Sequence, residues 1–250
     1  MNFSLSELKS IAKVLSSNPN ASSVLSKLTS VDVLKSLGEN KYSVLLNNKT
    51  LTAQSDKPLT QGEKYWSLLS HTDNKNVKLS NPLKMPNILQ DLKSAHTQYS
   101  LKDLQSILNS KNPASNFKQN ILEHLMQSTT KEEFTNVSTL LLSLQNQVFT
   151  IPLSFHNYFS ILQFKKRYNK KTKKTQIDFY AALEALGPVS GLIAIEQTDV
   201  KITLNVAFET TKTFLENDMK NFSYDLNIHL IEGVKPLYQT NINSLLDISI

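Results

Sequence analysis

Five histidines, one acidic pair and one lysine-rich run are the residues of this chain whose types could do chemistry. His71, His96, His124, His156 and His229 lie 25 to 73 residues apart. They form no His-x-x-x-His pair, the spacing that sets two imidazoles on one helix face for zinc, so no metal site is expected. Glu132-Glu133 follows Thr130 at capping-box distance and reads as first-turn acid favouring a helix dipole, not as a general acid and base. The chain has no cysteine, which excludes thiol nucleophiles, disulfides and zinc-cysteine sites and fits a reducing compartment. No Gly-x-Ser-x-Gly elbow, Walker loop or dinucleotide fingerprint occurs. All five glycines fall where turns are expected, leaving no glycine-rich phosphate cradle. The expectation is a non-enzymatic protein with no cofactor and no metal.

The lysine-rich run carries the charge. Lys165, Lys166, Arg167, Lys170, Lys171, Lys173 and Lys174 are seven of the 27 basic residues, leaving 20 against 21 acids elsewhere, so one short segment accounts for the net charge of +6. With Tyr168 and Phe164 interleaved, it could neutralise phosphates with steep salt dependence and little sequence preference. Arg167 is the only arginine, however. Arginine supplies the bidentate fork for guanine and phosphate, so nucleic acid is the less favoured partner. The simpler reading is a solvated hairpin tip whose lysines keep a sheet edge from aggregating.

The elements that must position these residues follow from periodicity. A chain of 250 residues is long enough for two domains, each with its own core. Its first residues show no basic and apolar leader pattern, and no apolar run approaches the about 18 residues that span a bilayer. A soluble cytoplasmic protein, unprocessed by general secretion and not inserted in a membrane, is expected. Leu5, Leu8, Ile11, Ala12 and Leu15 fit an amphipathic helix over 4–16, and Val24, Leu25, Leu28, Val31 and Leu34 a second over 22–37, stopped by Gly38. From Lys41 the period becomes two: Tyr42, Val44 and Leu46, an Asn47-Asn48 turn, then Thr50 to Ala53, read as a hairpin of a small barrel with further strands near Tyr65 to Leu69 and Val77 to Leu79. Pro82 and Pro86 bracket a break. Three helices are expected after it, starting at Ser100, Pro113 and Thr130. Alternation from Val148 predicts two strands, the second paired with 175–183 across the basic tip.

Beyond this, a strand ends at Leu186-Gly187-Pro188-Val189, and a hairpin of 191–196 with 200–208 follows. Spacings of 4, 3, 4 and 4 between Leu215, Met219, Phe222, Leu226 and Leu230 predict one long helix over 210–232, closed by Gly233, and a last strand over 236–243. This order resembles the C-terminal domain of the flagellar hook-length control protein family, whose signature is a strand, a Pro-Glu-x-Leu-Gly-x-Val turn, two strands, a helix and a strand. Glu184, Leu186, Gly187 and Val189 match the turn, while Leu183 stands where the family has Pro and Pro188 follows the glycine. Ala53-Gln54-Ser55 and Leu59-Thr60-Gln61-Gly62 give a weaker likeness near the barrel.

The fold class expected is α+β: N-terminal helices plus a small β-barrel-like domain over 1–86, a central helical segment over 87–147, and a C-terminal mixed sheet with one long helix over 148–250. The resemblance, which covers 148–243, implies a flagellar-assembly accessory protein whose C-terminal domain acts by recognition on the cytoplasmic domain of the export gate protein, in substrate-specificity switching or hook-length control. Glu184 and the face near it would make the contact, with Leu186, Gly187 and Val189 shaping the loop. Measuring members of that family carry a long Pro/Gln-rich first half. Its replacement here by a compact, apolar-periodic one implies a relative without the ruler; whether the protein is itself exported through the type III apparatus stays open. The alternative is a nucleic-acid-binding module using 165–174.

Overall fold

The computed structural model describes residues 28–71, 77–93, 97–155, 158–169, 174–196, 199–219 and 224–239. Strands β1 (Leu28–Gly38), β2 (Lys41–Leu46), β3 (Lys49–Ser55), β4 (Lys64–His71) and β5 (Val77–Lys84) close into a barrel in the order β1-β2-β3-β5-β4. Asn47 and Asn48 take φ of 47° and 62°, the left-handed pair that a two-residue hairpin demands and asparagine tolerates. Val31, Val33, Val44, Ala53 and Leu79 fill the barrel.

Residues 28–37 were expected to be the body of a helix and are instead β1. The cause is burial on both faces. Leu28 packs outward with Trp66 against the rest of the protein, whereas Val31 and Val33 point into the barrel. Apolar residues on opposite faces of one strand give a spacing of three, which imitates a helix turn. The helix expected over 4–16 lies outside the described residues. Pro82 does not break the chain either: β5 runs through it at a bulge, where the register with β4 shifts between Trp66 and Leu68 and Asn81 has φ 51°, a setting that accepts proline within a sheet.

Helices α1 (Asn87–Lys93), α2 (Leu101–Leu108), α3 (Pro113–Gln127) and α4 (Lys131–Gln145) follow. Reciprocal capping boxes start α2, through Ser100 and Asp103, and α4, through Thr130 and Glu133, and Pro113 opens α3 where its missing N–H costs nothing. Phe117, Ile121, Val137 and Leu140 of α3 and α4 join Leu28 and Trp66 of the barrel and Ile151, Ile161 and Tyr180 of the sheet in one continuous core.

That sheet has the order β11-β10-β9-β8-β7-β6, from β6 (Phe149–Phe155), β7 (Tyr158–Asn169), β8 (Lys174–Leu183), β9 (Gly187–Glu196), β10 (Asp199–Val206) and β11 (Asp225–Leu230). Neighbours are antiparallel up to β10; α5 (Glu209–Asp218) then crosses over and β11 joins β10 in parallel. The expected fold class is therefore corrected. The described chain is strand-rich, a closed barrel and a six-stranded sheet with five helices, and no long C-terminal helix is present among the described residues. The 210–232 stretch divides into α5 and β11 because Leu226, Ile228 and Leu230 alternate as a strand does, and the four-residue spacings ran across two elements. No strand forms over 236–239, and 240–243 lie outside the described residues.

Gly191 also departs from expectation: it is interior to β9, not a turn. A Cβ there would fall 2.1 Å from the Thr203 carbonyl oxygen and 2.7 Å from the Phe179 ring, so the neighbouring strand and an aromatic side chain occupy the space a side chain would need.

Candidate functional site

The turn 184–186 joins β8 to β9, with Leu183 paired to Gly187 across it. Gly187 has φ +77°, a left-handed conformation, and a Cβ on it would lie 2.8 Å from the Phe208 ring. The position takes glycine for conformation and for space together. Leu186 and Val189 are buried, and the Leu186 carbonyl accepts a 2.7 Å hydrogen bond from the Thr211 hydroxyl of α5. Three of the four residues singled out by sequence thus sit inside the protein and hold the turn against α5.

Glu184 is the one that reaches outward. Its Oε1 pairs with the Lys93 ammonium of α1 at 2.5 Å, and its Oε2 accepts the Phe159 N–H at 3.4 Å. The carboxylate therefore ties the turn to α1 and to the start of β7. These groups line a cleft of about 320 Å³ between barrel, α1 and sheet, with Asp32, Lys64, Asn47 and Asn48 on its other wall. Lys64 pairs with Asp32 at 3.1 Å. All four charged side chains on the cleft wall are thus matched in two pairs, which makes it a polar seam with amide groups at its rim.

The basic run separates into described and undescribed parts. Lys165, Lys166 and Arg167 lie on β7, Lys174 opens β8 opposite Asn169, and Lys170, Lys171 and Lys173 fall outside the described residues. Arg167 pairs with Asp178 across the hairpin, so part of the positive charge is compensated within the sheet. Lys166 and Tyr168 are exposed. The described strands bring Phe164 and Phe179 opposite one another at the base of this hairpin.

Sequence reasoning missed the outer strand. β11 forms one edge of the sheet and ends at Leu230, which Ile231 follows; the two are 47% and 36% exposed, and the Ile231 N–H still bonds to the Val206 carbonyl at 3.0 Å. Its signal was present in the alternation of Leu226, Ile228 and Leu230, overridden by the helical spacing.

Among the described residues no group of three or more histidines and carboxylates is placed to hold a metal ion. Glu133 accepts from the backbone N–H groups of Thr129 and Thr130, the capping role its position suggests. Asp91 has its pKa raised by burial first and by the charge of Glu132 second. No described helix is long and apolar enough to cross a membrane. No family model matches this chain, and no curated protein matches its sequence.

Proposed function

We propose that the protein is a non-enzymatic accessory of flagellar assembly that works by recognition, its C-terminal sheet binding the cytoplasmic domain of the export gate protein and influencing which type III substrates are released. The reading rests on the resemblance of 148–243. The structural observation that supports it is the apolar end of β11, where Leu230 and Ile231 are presented at the outermost strand of that sheet. Exposed apolar residues at a sheet edge suit a protein partner more than a small substrate. Leu186, Gly187 and Val189 keep the turn in place on this reading, and Glu184 braces it against α1.

Removing the gene should shift the proteins in the culture medium between rod-hook and filament types. The wild-type chain should restore the pattern, and a folded Leu230→Asp/Ile231→Asp variant should not. An unchanged secretion pattern in the deletion strain would count against the reading.

A further inference from the structure

The hairpin of β7 and β8 is longer than the sheet that holds it. The pairs of β6 with β7 end at Phe149 and Phe164, whereas β7 and β8 stay paired as far as Asn169 and Lys174, and β9 joins β8 only from Gln176. Residues 165–169 of this hairpin arm therefore form an outer edge: 165–167 lie opposite 178–176, which β9 still backs, and 168–169 with 174–175 project beyond it as a two-stranded tip. On the side where β6 has ended, no described strand takes their backbone N–H and C=O groups. Alternate residues of an antiparallel strand turn these groups outward, so the arm presents an open pairing edge.

The side chains along this edge decide what can use it. Lys166, Arg167 and Tyr168 are exposed, and Tyr168 is 59% exposed. Successive residues of a strand face opposite ways, so positive charge is carried on both faces. Asp178 pairs with Arg167 and stands directly opposite Lys165, whereas Lys166 lies opposite Ile177. A second copy of the same edge would bring lysine against lysine, which disfavours self-pairing. The same charges favour an acidic strand, since opposite charges on adjacent strands stabilise the pair.

We propose that residues 165–169 of β7 are a docking edge for an acidic extended segment of a partner protein, which adds as a strand beyond the last pair with β6, where no described strand lies. Backbone pairing supplies register, and acidic side chains at alternating positions are selected by the lysine on the face they share, Lys165 beside Arg167 on one face or Lys166 on the other. A strand bound there continues the line of β6 and covers the edge. This inference is independent of the export-gate reading, because it uses the opposite side of the sheet from β11.

The test uses the full chain and a synthetic heptapeptide, Thr-Glu-Val-Glu-Val-Glu-Thr. Binding is followed by fluorescence anisotropy at low salt, and amide exchange is read residue by residue. Two further peptides, N-methylated at alternate residues in the two phases, remove the backbone donors of one edge each. A mixed-sequence oligonucleotide serves as competitor, and sedimentation reports self-association.

The proposal expects saturable binding and new exchange protection confined to 165–169. One N-methylated peptide should bind roughly tenfold more weakly, an effect of about 1.4 kcal/mol. A folded Lys165→Glu/Lys166→Glu variant should lose the acidic peptide and gain the version with lysine in place of glutamate. Four results would overturn it: no binding at low salt, equal binding by both N-methylated peptides, self-association through the arm, or an oligonucleotide that binds the arm more tightly than the peptide and displaces it. The peptide comparison needs no altered protein, so a misfolded variant does not blunt it.

Discussion

The Cβ that Gly187 lacks would sit 2.8 Å from the ring of Phe208, a residue that is itself 1% exposed. A turn residue and the residue just ahead of α5 are thus packed face to face, and the left-handed φ of +77° adds a conformational demand to the steric one. Gly187→Ala should lower stability by about 2–4 kcal/mol, from strained backbone plus overpacking. Chemical denaturation reads this directly, and a loss under about 0.5 kcal/mol, the scale of an ordinary surface change, would show that the turn relaxes freely. Gly187 substitutions therefore probe the core and are poor probes of a contact surface.

Gln163 acts as a surrogate stretch of backbone. It is fully buried, its Oε1 accepts the N–H groups of Leu237 and Tyr238 at 2.8 and 3.2 Å, and its Nε2 donates to the Tyr238 carbonyl at 2.8 Å and to the Thr150 hydroxyl at 3.2 Å. Gln163→Leu should cost about 1–3 kcal/mol, because half-buried backbone groups of Leu237 and Tyr238 lose their bonds. The amides of Leu237 and Tyr238 should then exchange faster by a larger factor than those of β8. Unchanged exchange at these two amides would remove Gln163 as the anchor.

The Tyr180 hydroxyl is buried in the shared core without a hydrogen-bond partner among the described residues, and burial pushes its pKa up. Tyr180→Phe deletes an unsatisfied polar group and keeps the ring. The expected outcome is an unchanged or higher denaturation midpoint, by up to about 1 kcal/mol. A clear destabilisation would mean the hydroxyl has a partner that matters.

Hydrogen bonds from the Ser100 hydroxyl first and the Ser100 backbone N–H second hold the Asp103 carboxyl below its usual range. Its folded pKa is depressed, so its contribution is present above the unfolded value near 3.8 and is lost as pH falls through the folded one. Ser100→Ala should cost about 1 kcal/mol near neutrality. The gap between wild type and variant should narrow as pH drops below about 4; a gap that stays constant down to about pH 3 contradicts the assignment.

The sequence is most readable where one element uses one face. Tyr42, Val44 and Leu46 alternate because β2 lines the barrel on one side only, and the capping boxes at Ser100 and Thr130 mark helix starts that form as expected. Reading fails where tertiary burial overrides local pattern. Leu28 and Val31 lie on opposite buried faces of β1, and Leu215 and Leu226 belong to different elements whose spacing chances to fit one helix. Gly191 could not be read from sequence because its reason is a neighbouring strand and the Phe179 ring. At the candidate site the turn residues were visible, but their burial was not. The partner of Glu184 is Lys93, 91 residues away, a separation that no local pattern reports. The exposed end of β11 emerged only once the strand order was known.

Titration calorimetry of the full chain against the cytoplasmic domain of the flagellar export gate protein tests the central claim most directly. The account predicts a saturable one-to-one association that weakens roughly tenfold or more in a folded Leu230→Asp/Ile231→Asp variant and persists in Lys165→Glu/Lys166→Glu. No association by the wild-type chain, or equal association by the β11 variant, would contradict it.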